Sequence, residues 1–366
     1  MSSFLHSPTA SSLAMTMTFV ALCLLQFPLV APFKLPHNMT VPAVFAFGDS
    51  IIDPGNNNGL VTVAKSNFHP YGRDFYGGVA TGRFSNGRVP SDFLAEAIGV
   101  KDTLPAYLDP NLNTRDLLTG VSFASGAAGY DPLSAQLALV FSMSDQLNLF
   151  REYMRKIRAE VGDERARTII SESLYLVCTG SNDITNTYFS IPVRSSVYDI
   201  PSYAGFIAKL ASEFIQELYG IGARRIGVLS LPPAGCLPSQ RTIKGGTNRD
   251  CFAPANRLAS LANTKIQSEI RSLRSNLPDA KMVFLDIYYP LMNIIQHPAR
   301  YGFTYANVGC CGTGKIEVSV LCNDFDDPRT CKDAKEYVFW DSYHPTEATY
   351  RLLVSRLLDK YGHEFY

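Results

Sequence analysis

The sequence predicts an α/β protein in which a mainly parallel sheet is covered by helices on both faces. Three observations carry this. Short apolar runs of β-type recur at wide intervals, stretches of helical periodicity separate them, and the runs end on small polar residues, Gly or Pro. Buried strands alternating with helices of that length need crossover connections, which make the sheet parallel and cover both its faces. Right-handed crossovers then place the C-terminal ends of all strands on one edge, where open α/β sheets bind ligands.

The elements follow in order. "AVFAF" at 43–47 is the first strand. Between Gly87 and Gly99, Val89, Phe93 and Ala97 recur every fourth residue, which predicts a helix stopped by Gly99. "VSFAS" at 121–125 reads as the second strand. The segment 133–171 holds at least one long amphipathic helix, with "LNLFREYMRKIRAEV" its clearest part. "LYLVCTG" at 174–180 is the third strand, followed by a helix over 203–218 that ends at Gly220. "RIGVLSL" at 225–231 is the fourth strand, and a helix over 255–277 ends before Pro278. "KMVFLDIY" at 281–288 is the fifth strand, and 345–361 forms the last helix with Pro345 in its first turn. No repeat or linker divides the chain beyond the N-terminus, so residues 41–361 read as one domain.

Bulk composition excludes some functions. The chain has 366 residues, 46% hydrophobic and 18% charged, with 33 basic and 33 acidic side chains. A balanced charge without basic runs gives nucleic-acid binding no electrostatic support. Residues 13–31 carry no charge and contain "FVALCLLQFPLV". This reads as a signal peptide over 1–31, the alternative being a single uncleaved span. The mature chain is then expected to be secreted, with no integral span. Asn38-Met39-Thr40 is a sequon just beyond the signal, so Asn38 is a candidate glycan site.

Cysteine usage agrees with export. Cys23 lies in the signal, and Cys178 lies in an apolar strand, where it reads as a free buried thiol. Cys236, Cys251, Cys310, Cys311, Cys322 and Cys331 sit in loop-like segments and suit disulfides in an oxidising compartment. Cys236–Cys251 is expected as one bridge. The other four allow three pairings that the sequence does not separate. No metal-ligand spacing such as C-x-x-C occurs, so neither metal nor cofactor is expected. "GCCGTGK" at 309–315 imitates a phosphate loop, but Ile316 follows where Ser or Thr is needed.

Polar groups cluster where strands end. "GDS" with Ser50 follows the first strand, "GAAGY" with Gly126 the second and "SND" with Asn182 the third. "YVFWDSYHPT" near the C-terminus supplies Asp341 and His344. A hydroxyl, an imidazole, a carboxylate and oxyanion donors are the parts of acyl transfer. Of six histidines, His6, His37 and His363 lie at the termini. Among His69, His297 and His344, only His344 has a carboxylate three residues earlier within one loop. That spacing lets Asp341 hold Nδ1–H while Nε2 faces a serine. Ser50 taken alone reads as a helix N-cap, and "WDSYHPTE" alone as a capping turn; Asp341, His344, Gly126 and Asn182 taken with Ser50 reverse that reading toward catalysis. Asp49 reads as a residue that bonds its own loop. No G-x-S-x-G occurs, so the α/β-hydrolase nucleophile elbow is not supported.

"FGDSIID" with "GNNN", then "GRFSNGRV", "FASGAAGY", "GSND", "PPAGCLPSQ" and "FWDSYHPTE" together resemble the plant GDSL-type esterase/lipase family within the SGNH hydrolases. The resemblance spans about residues 42–361. It implies a flavodoxin-like three-layer α/β/α sandwich, with Ser50 as nucleophile, His344 as base and Asp341 as its partner. It implies an oxyanion hole of the Ser50 and Gly126 backbone N–H groups and the Asn182 amide. Ile51 stands where the leucine of the motif name is usual, and Ala127 where a second glycine is common, which leaves Gly129 as another donor. The implied function is a secreted, wall or apoplastic serine esterase or lipase. It would act on a lipid, cutin-like or acetylated wall ester and need no protein partner. The alternatives are an acyltransferase using the same acyl-serine and a non-catalytic wall or lipid-binding protein. Aromatic residues of loops 64–84 and 184–200 (Phe68, Tyr71, Tyr188, Phe189) are candidates for the pocket walls.

Overall fold

The computed structural model describes residues 40–323 and 329–366. The predicted signal segment 1–31, Cys23 and the candidate glycan site Asn38 lie outside the described residues. Four five-residue strands, β1 (Val44–Gly48), β2 (Leu174–Cys178), β3 (Arg225–Leu229) and β4 (Lys281–Leu285), pair side by side in that order, all parallel. The run 121–125 lies along the free edge of β1. Phe123 N–H donates to Ala46 O at 2.7 Å and Ser125 N–H to Gly48 O at 2.9 Å. It makes only an isolated bridge there, at Ser122, rather than the full strand expected. The Gln146 side chain explains the shortfall, because it accepts the Gly48 N–H that would otherwise pair with Phe123 O in the ladder. Counting this run second along the chain gives the order 2-1-3-4-5, the flavodoxin-like arrangement. Its topological switch point lies between β1 and β2.

The longer helices are α1 (Pro90–Ile98), α2 (Met143–Val161), α3 (Asp163–Glu172), α4 (Ile200–Ile221), α5 (Ala253–Asn276), α6 (Tyr288–Gln296) and α7 (Glu347–Tyr361). Alternate strand residues face opposite ways, so each strand feeds two cores. Phe45, Phe47, Tyr175, Val177, Ile226, Val228 and Met282 pack against α2 to α5. Val44, Ala46, Leu174, Leu176, Cys178, Val283 and Leu285 pack against α1 and α7. The first layer is aromatic: Phe47 stacks on Phe123 at 5.0 Å, and Phe45 meets Tyr153 edge-on at 5.1 Å.

Several helix ends differ from the sequence reading. The segment 133–171 is interrupted: Ser142 caps α2 by accepting from Asp145 N–H, and Gly162 separates α2 from α3. Helix α4 runs through Gly220 and stops at Gly222, whose φ of 128° no other residue adopts easily. Pro345 precedes α7 rather than opening it, since Thr346 is the cap and its hydroxyl accepts from Thr349 N–H.

A second, two-stranded parallel sheet of β5 (Tyr305–Gly309) and β6 (Tyr337–Phe339) lies beyond the main one. These strands are short and carry no sustained alternation, so no periodic signal marks them. The cysteines after β5 fasten this region, with bridges Cys310–Cys331 and Cys311–Cys322 beside the expected Cys236–Cys251. Cys178 is free and buried. In "GCCGTGK" the N–H groups of Thr313, Lys315 and Ile316 donate to the Glu317 carboxylate, so the chain itself fills the place a phosphate would take.

Candidate active site

The strand β1 ends in a turn that only its own residues permit. Gly48 has φ 146°, and a Cβ there would fall 1.9 Å from Cys178 O. The close approach lets Asp49 N–H donate to Cys178 O at 2.9 Å, which extends the β1–β2 pairing into the loop. The buried Gln146 amide clamps Gly48 from α2, accepting its N–H at 2.8 Å and donating to its carbonyl at 2.9 Å. Asp49 then folds the chain back, accepting from Ile51 N–H at 3.1 Å. Ser50 is thereby lifted onto the sheet's C-terminal edge at the switch point.

His344 arrives from the far end of the chain. Its Nε2 lies 2.7 Å from Ser50 Oγ, and its Nδ1 lies 2.7 Å from Asp341 Oδ2 and 2.9 Å from Oδ1. An ionised Asp341 accepts Nδ1–H, which leaves Nε2 as the acceptor for the serine hydroxyl. Asp341 also accepts the N–H groups of Tyr343 at 2.8 Å and His344 at 2.7 Å, so carboxylate and imidazole are fixed by one short loop. Asp341 is fully buried, and Ser50 and His344 are nearly so. The Phe84 ring covers the imidazole at 4.9 Å. Strand β6 leads directly into this loop, and Cys311 N–H donates to Trp340 O at 2.8 Å, so the disulfide-bonded segment braces it.

Tyr71 is a member that the sequence reading assigned to a pocket wall. Its hydroxyl donates to Asp341 Oδ2 at 2.7 Å and accepts from Ser319 N–H at 2.7 Å. The other expected wall aromatics are committed elsewhere: Tyr188 stacks on Tyr203 at 4.8 Å, Phe189 meets Phe252 at 5.0 Å and Phe68 meets Tyr71 at 5.8 Å. Nothing in the local sequence marks Tyr71, because its partner is 270 residues away.

The oxyanion donors need one correction. Gly126 N–H donates to Asp53 Oδ2 at 2.8 Å and is not free. Gly126 is needed for space instead, since a Cβ there would fall 2.7 Å from the Phe84 ring. Its neighbour Ala127 has a left-handed φ of 70°, and the N–H groups of Ala127, Ser50 and Gly129 make no hydrogen bond among the described residues. Gly129 packs against the Asp183 carboxylate. Asn182 donates one Nδ2 hydrogen to Ala128 O at 2.8 Å and accepts from Asn186 at 2.8 Å, which leaves its second Nδ2 hydrogen unused. The asparagines of "GNNN" knit these loops together, Asn57 donating to Gly126 O at 3.0 Å and Asn56 to Ala124 O at 2.7 Å.

Burial raises the pKa of three carboxyls under the site, because it penalises their charged form. Asp49 is pushed up to about 7, Asp53 to about 6 and Asp183 to about 8, with hydrogen-bond donors pulling each part of the way back. A folded pKa above the unfolded one means the native state holds the proton longer. The stability these groups supply is therefore full below about pH 4 and is lost as pH rises through 6 to 8. Carboxyls held low, such as Asp131 and Glu317, act in the opposite sense but below about pH 4. Urea unfolding with disulfides intact should give a lower midpoint at pH 8 than at pH 5, by on the order of several kcal/mol in stability. Asp49→Asn should flatten that dependence, and a midpoint that rises with pH would refute it. Burial also pushes the Cys178 thiol well above its ordinary range, which keeps it inert as a nucleophile.

A serine hydroxyl, an imidazole and a carboxylate in hydrogen-bonded series on the switch edge of a flavodoxin-like sheet define a serine ester hydrolase. The GDSL-like lipase/acylhydrolase family model matches residues 44–357, so the chain belongs to that family. Among curated proteins, the GDSL esterase/lipase EXL3 of Arabidopsis thaliana is 53% identical over 332 residues, 91% of each chain. The GDSL esterase/lipase EXL2 of the same plant is 48% identical and covers 90% of each. A solved acetylxylan esterase from Geobacillus stearothermophilus aligns over 89% of this chain and 95% of its own, at 11% identity and TM-score 0.39, too distant to argue from.

Proposed function

We propose that residues 41–361 act as a single domain that hydrolyses carboxylic esters through an acyl-serine intermediate. The observation that carries this reading is the 2.7 Å contact between His344 Nε2 and Ser50 Oγ. His344 takes the hydroxyl proton as Oγ bonds to the ester carbonyl carbon. The carbonyl oxygen becomes an oxyanion, held by the N–H groups of Ser50 and Ala127 and the free Nδ2 hydrogen of Asn182. His344 then protonates the alkoxide as the C–O bond breaks, and the alcohol leaves. A water, deprotonated by His344, attacks the acyl-serine; the carboxylic acid departs and Ser50 recovers its proton. Each oxyanion donor is worth about 3 kcal/mol of barrier.

The substrate class is an uncharged lipid or wall ester, and the site of action is outside the cell. Three disulfides support an oxidising compartment. Among the described residues no helix is long and apolar enough to cross a membrane. The test is a fluorophosphonate probe, which should label Ser50 and no other residue. Folded protein that is neither labelled nor active on p-nitrophenyl butyrate would end this reading.

Tyr71 acts here as a positioning residue for Asp341. A hydrogen bond to a charged group contributes about 1.5–3 kcal/mol. Tyr71→Phe is expected to lower kcat by about tenfold with KM little changed, the signature of an interaction made in the transition state. An unchanged kcat would remove Tyr71 from the machinery.

A further inference from the structure

A narrow cavity descends from the site between the sheet and α7. Ser50, Asn182 and His344 line its upper end. Its walls are almost wholly apolar, made by Cys178, Leu229, Ile287, Leu291, Val354 and Leu357. None of these comes from the loops in which the sequence placed the pocket walls. The cavity volume is about 50 Å³. At about 10–15 Å³ for each water-sized group, that is room for roughly four such groups in a row. Tyr350, Val354 and Leu357 follow one another down α7, and seven residues at a helical rise of 1.5 Å extend over about 10 Å. A space of that volume drawn out over that length would be one chain wide.

The chemistry of the walls narrows the occupant. Among the described residues no Lys or Arg lines the cavity, so an acyl group bearing a second carboxylate finds no partner there. Asp49 and Tyr350 also line it, each with a buried oxygen that has no hydrogen-bond partner among the described residues. Neither supplies a fixed positive charge. The carbonyl carbon attacked by Ser50 would sit at the mouth, where an attached acyl chain has one apolar direction in which to leave water.

We infer that this cavity is an acyl-chain slot that selects esters of unbranched, uncharged acids of roughly four to eight carbons. This rests on Ser50 being the nucleophile. It divides the substrate classes left open above, favouring a medium acyl chain over both acetyl and long-chain groups. Each methylene that enters the slot is expected to raise kcat/KM by about fourfold until the slot is full.

The test is kcat/KM for p-nitrophenyl acetate, butyrate, octanoate and palmitate on the whole chain. Butyrate or octanoate should exceed both acetate and palmitate by about tenfold or more. Val354→Phe should fill the slot and lower the octanoate-to-acetate ratio by about tenfold, whereas Leu357→Ala should extend it and move the optimum to longer chains. The ratio is internal to each protein, so partial loss of folded enzyme cancels. Ser50 labelled by fluorophosphonate in both variants, with chain-length ratios identical to the parent, would overturn the slot and leave Ser50 as nucleophile. A parent protein without labelling or turnover of any ester would overturn the nucleophile and the slot together.

Discussion

Ser50→Ala is expected to lower kcat on p-nitrophenyl butyrate by roughly 10⁵–10⁶-fold. The expectation rests on what remains after the change. The backbone N–H of residue 50 and the Asn182 amide are still present, so an ester would still be bound and its oxyanion partly held. Cys178 is buried with its thiol held protonated, and it belongs to the apolar wall below the serine. The residual rate should therefore reflect water attack in a site that keeps its oxyanion donors, roughly 10³–10⁴ above the uncatalysed reaction. Binding of a non-hydrolysable ester analogue should survive, because the change removes one buried oxygen and leaves the loop's backbone bonds intact. Parental turnover by the Ser50→Ala variant would refute covalent catalysis at this position.

Asp341→Asn is expected to be nearly as damaging, lowering kcat by about 10⁴-fold. The two side chains have the same shape, so the loss would come from hydrogen-bond polarity. Asp341 accepts from four donors: Tyr343 N–H, His344 N–H, the Tyr71 hydroxyl and the imidazole Nδ1–H. An amide has one accepting oxygen and must turn its NH₂ toward some of them. If NH₂ faces Nδ1, the imidazole must carry its proton on Nε2, where it can no longer accept from Ser50. Activity should partly return as pH is raised, when hydroxide can replace the base. A variant with near-parental kcat at neutral pH would show that Asp341 only shapes the loop.

The two changes differ in what they should do to stability. Ser50 contributes one hydrogen bond, to His344, whereas Asp341 closes a fully buried loop through four. Removing an acceptor from buried donors costs about 1–3 kcal/mol, more where charge is involved. Asp341→Asn should therefore lower the urea midpoint while Ser50→Ala leaves it almost unchanged.

Much of the fold was legible because its signals are local. β1, β2, β3 and β4 are short apolar runs stopped by Gly, Pro or small polar residues, and the helices between them have a clear period. The residues of the hydrogen-bonded series were legible for the same reason: Ser50 ends a strand, and Asp341 and His344 are three residues apart in one loop. The run 121–125 was read as a strand because its residues suit one. The Gln146 side chain, from a helix further along the chain, takes the Gly48 N–H that would complete the pairing, and a local reading does not contain it. The Gly126 assignment failed similarly. The glycine is required, but for its closeness to Phe84, while Asp53 takes its N–H.

The amino-acid sequence by itself determined the alternation of strands and helices, the edge on which chemistry would gather, and the identity of the hydroxyl, imidazole and carboxylate. Only the tertiary structure decided how the four clustered cysteines pair, that Asp53 takes the Gly126 N–H, that Tyr71 bonds Asp341, and that an apolar cavity lies beside Ser50. The division has one physical cause. Propensity, periodicity and capping act over a few residues and are written in neighbouring letters. Bond partners and cavities depend on side chains tens or hundreds of residues apart, which meet only once the sheet has brought its loops to a common edge.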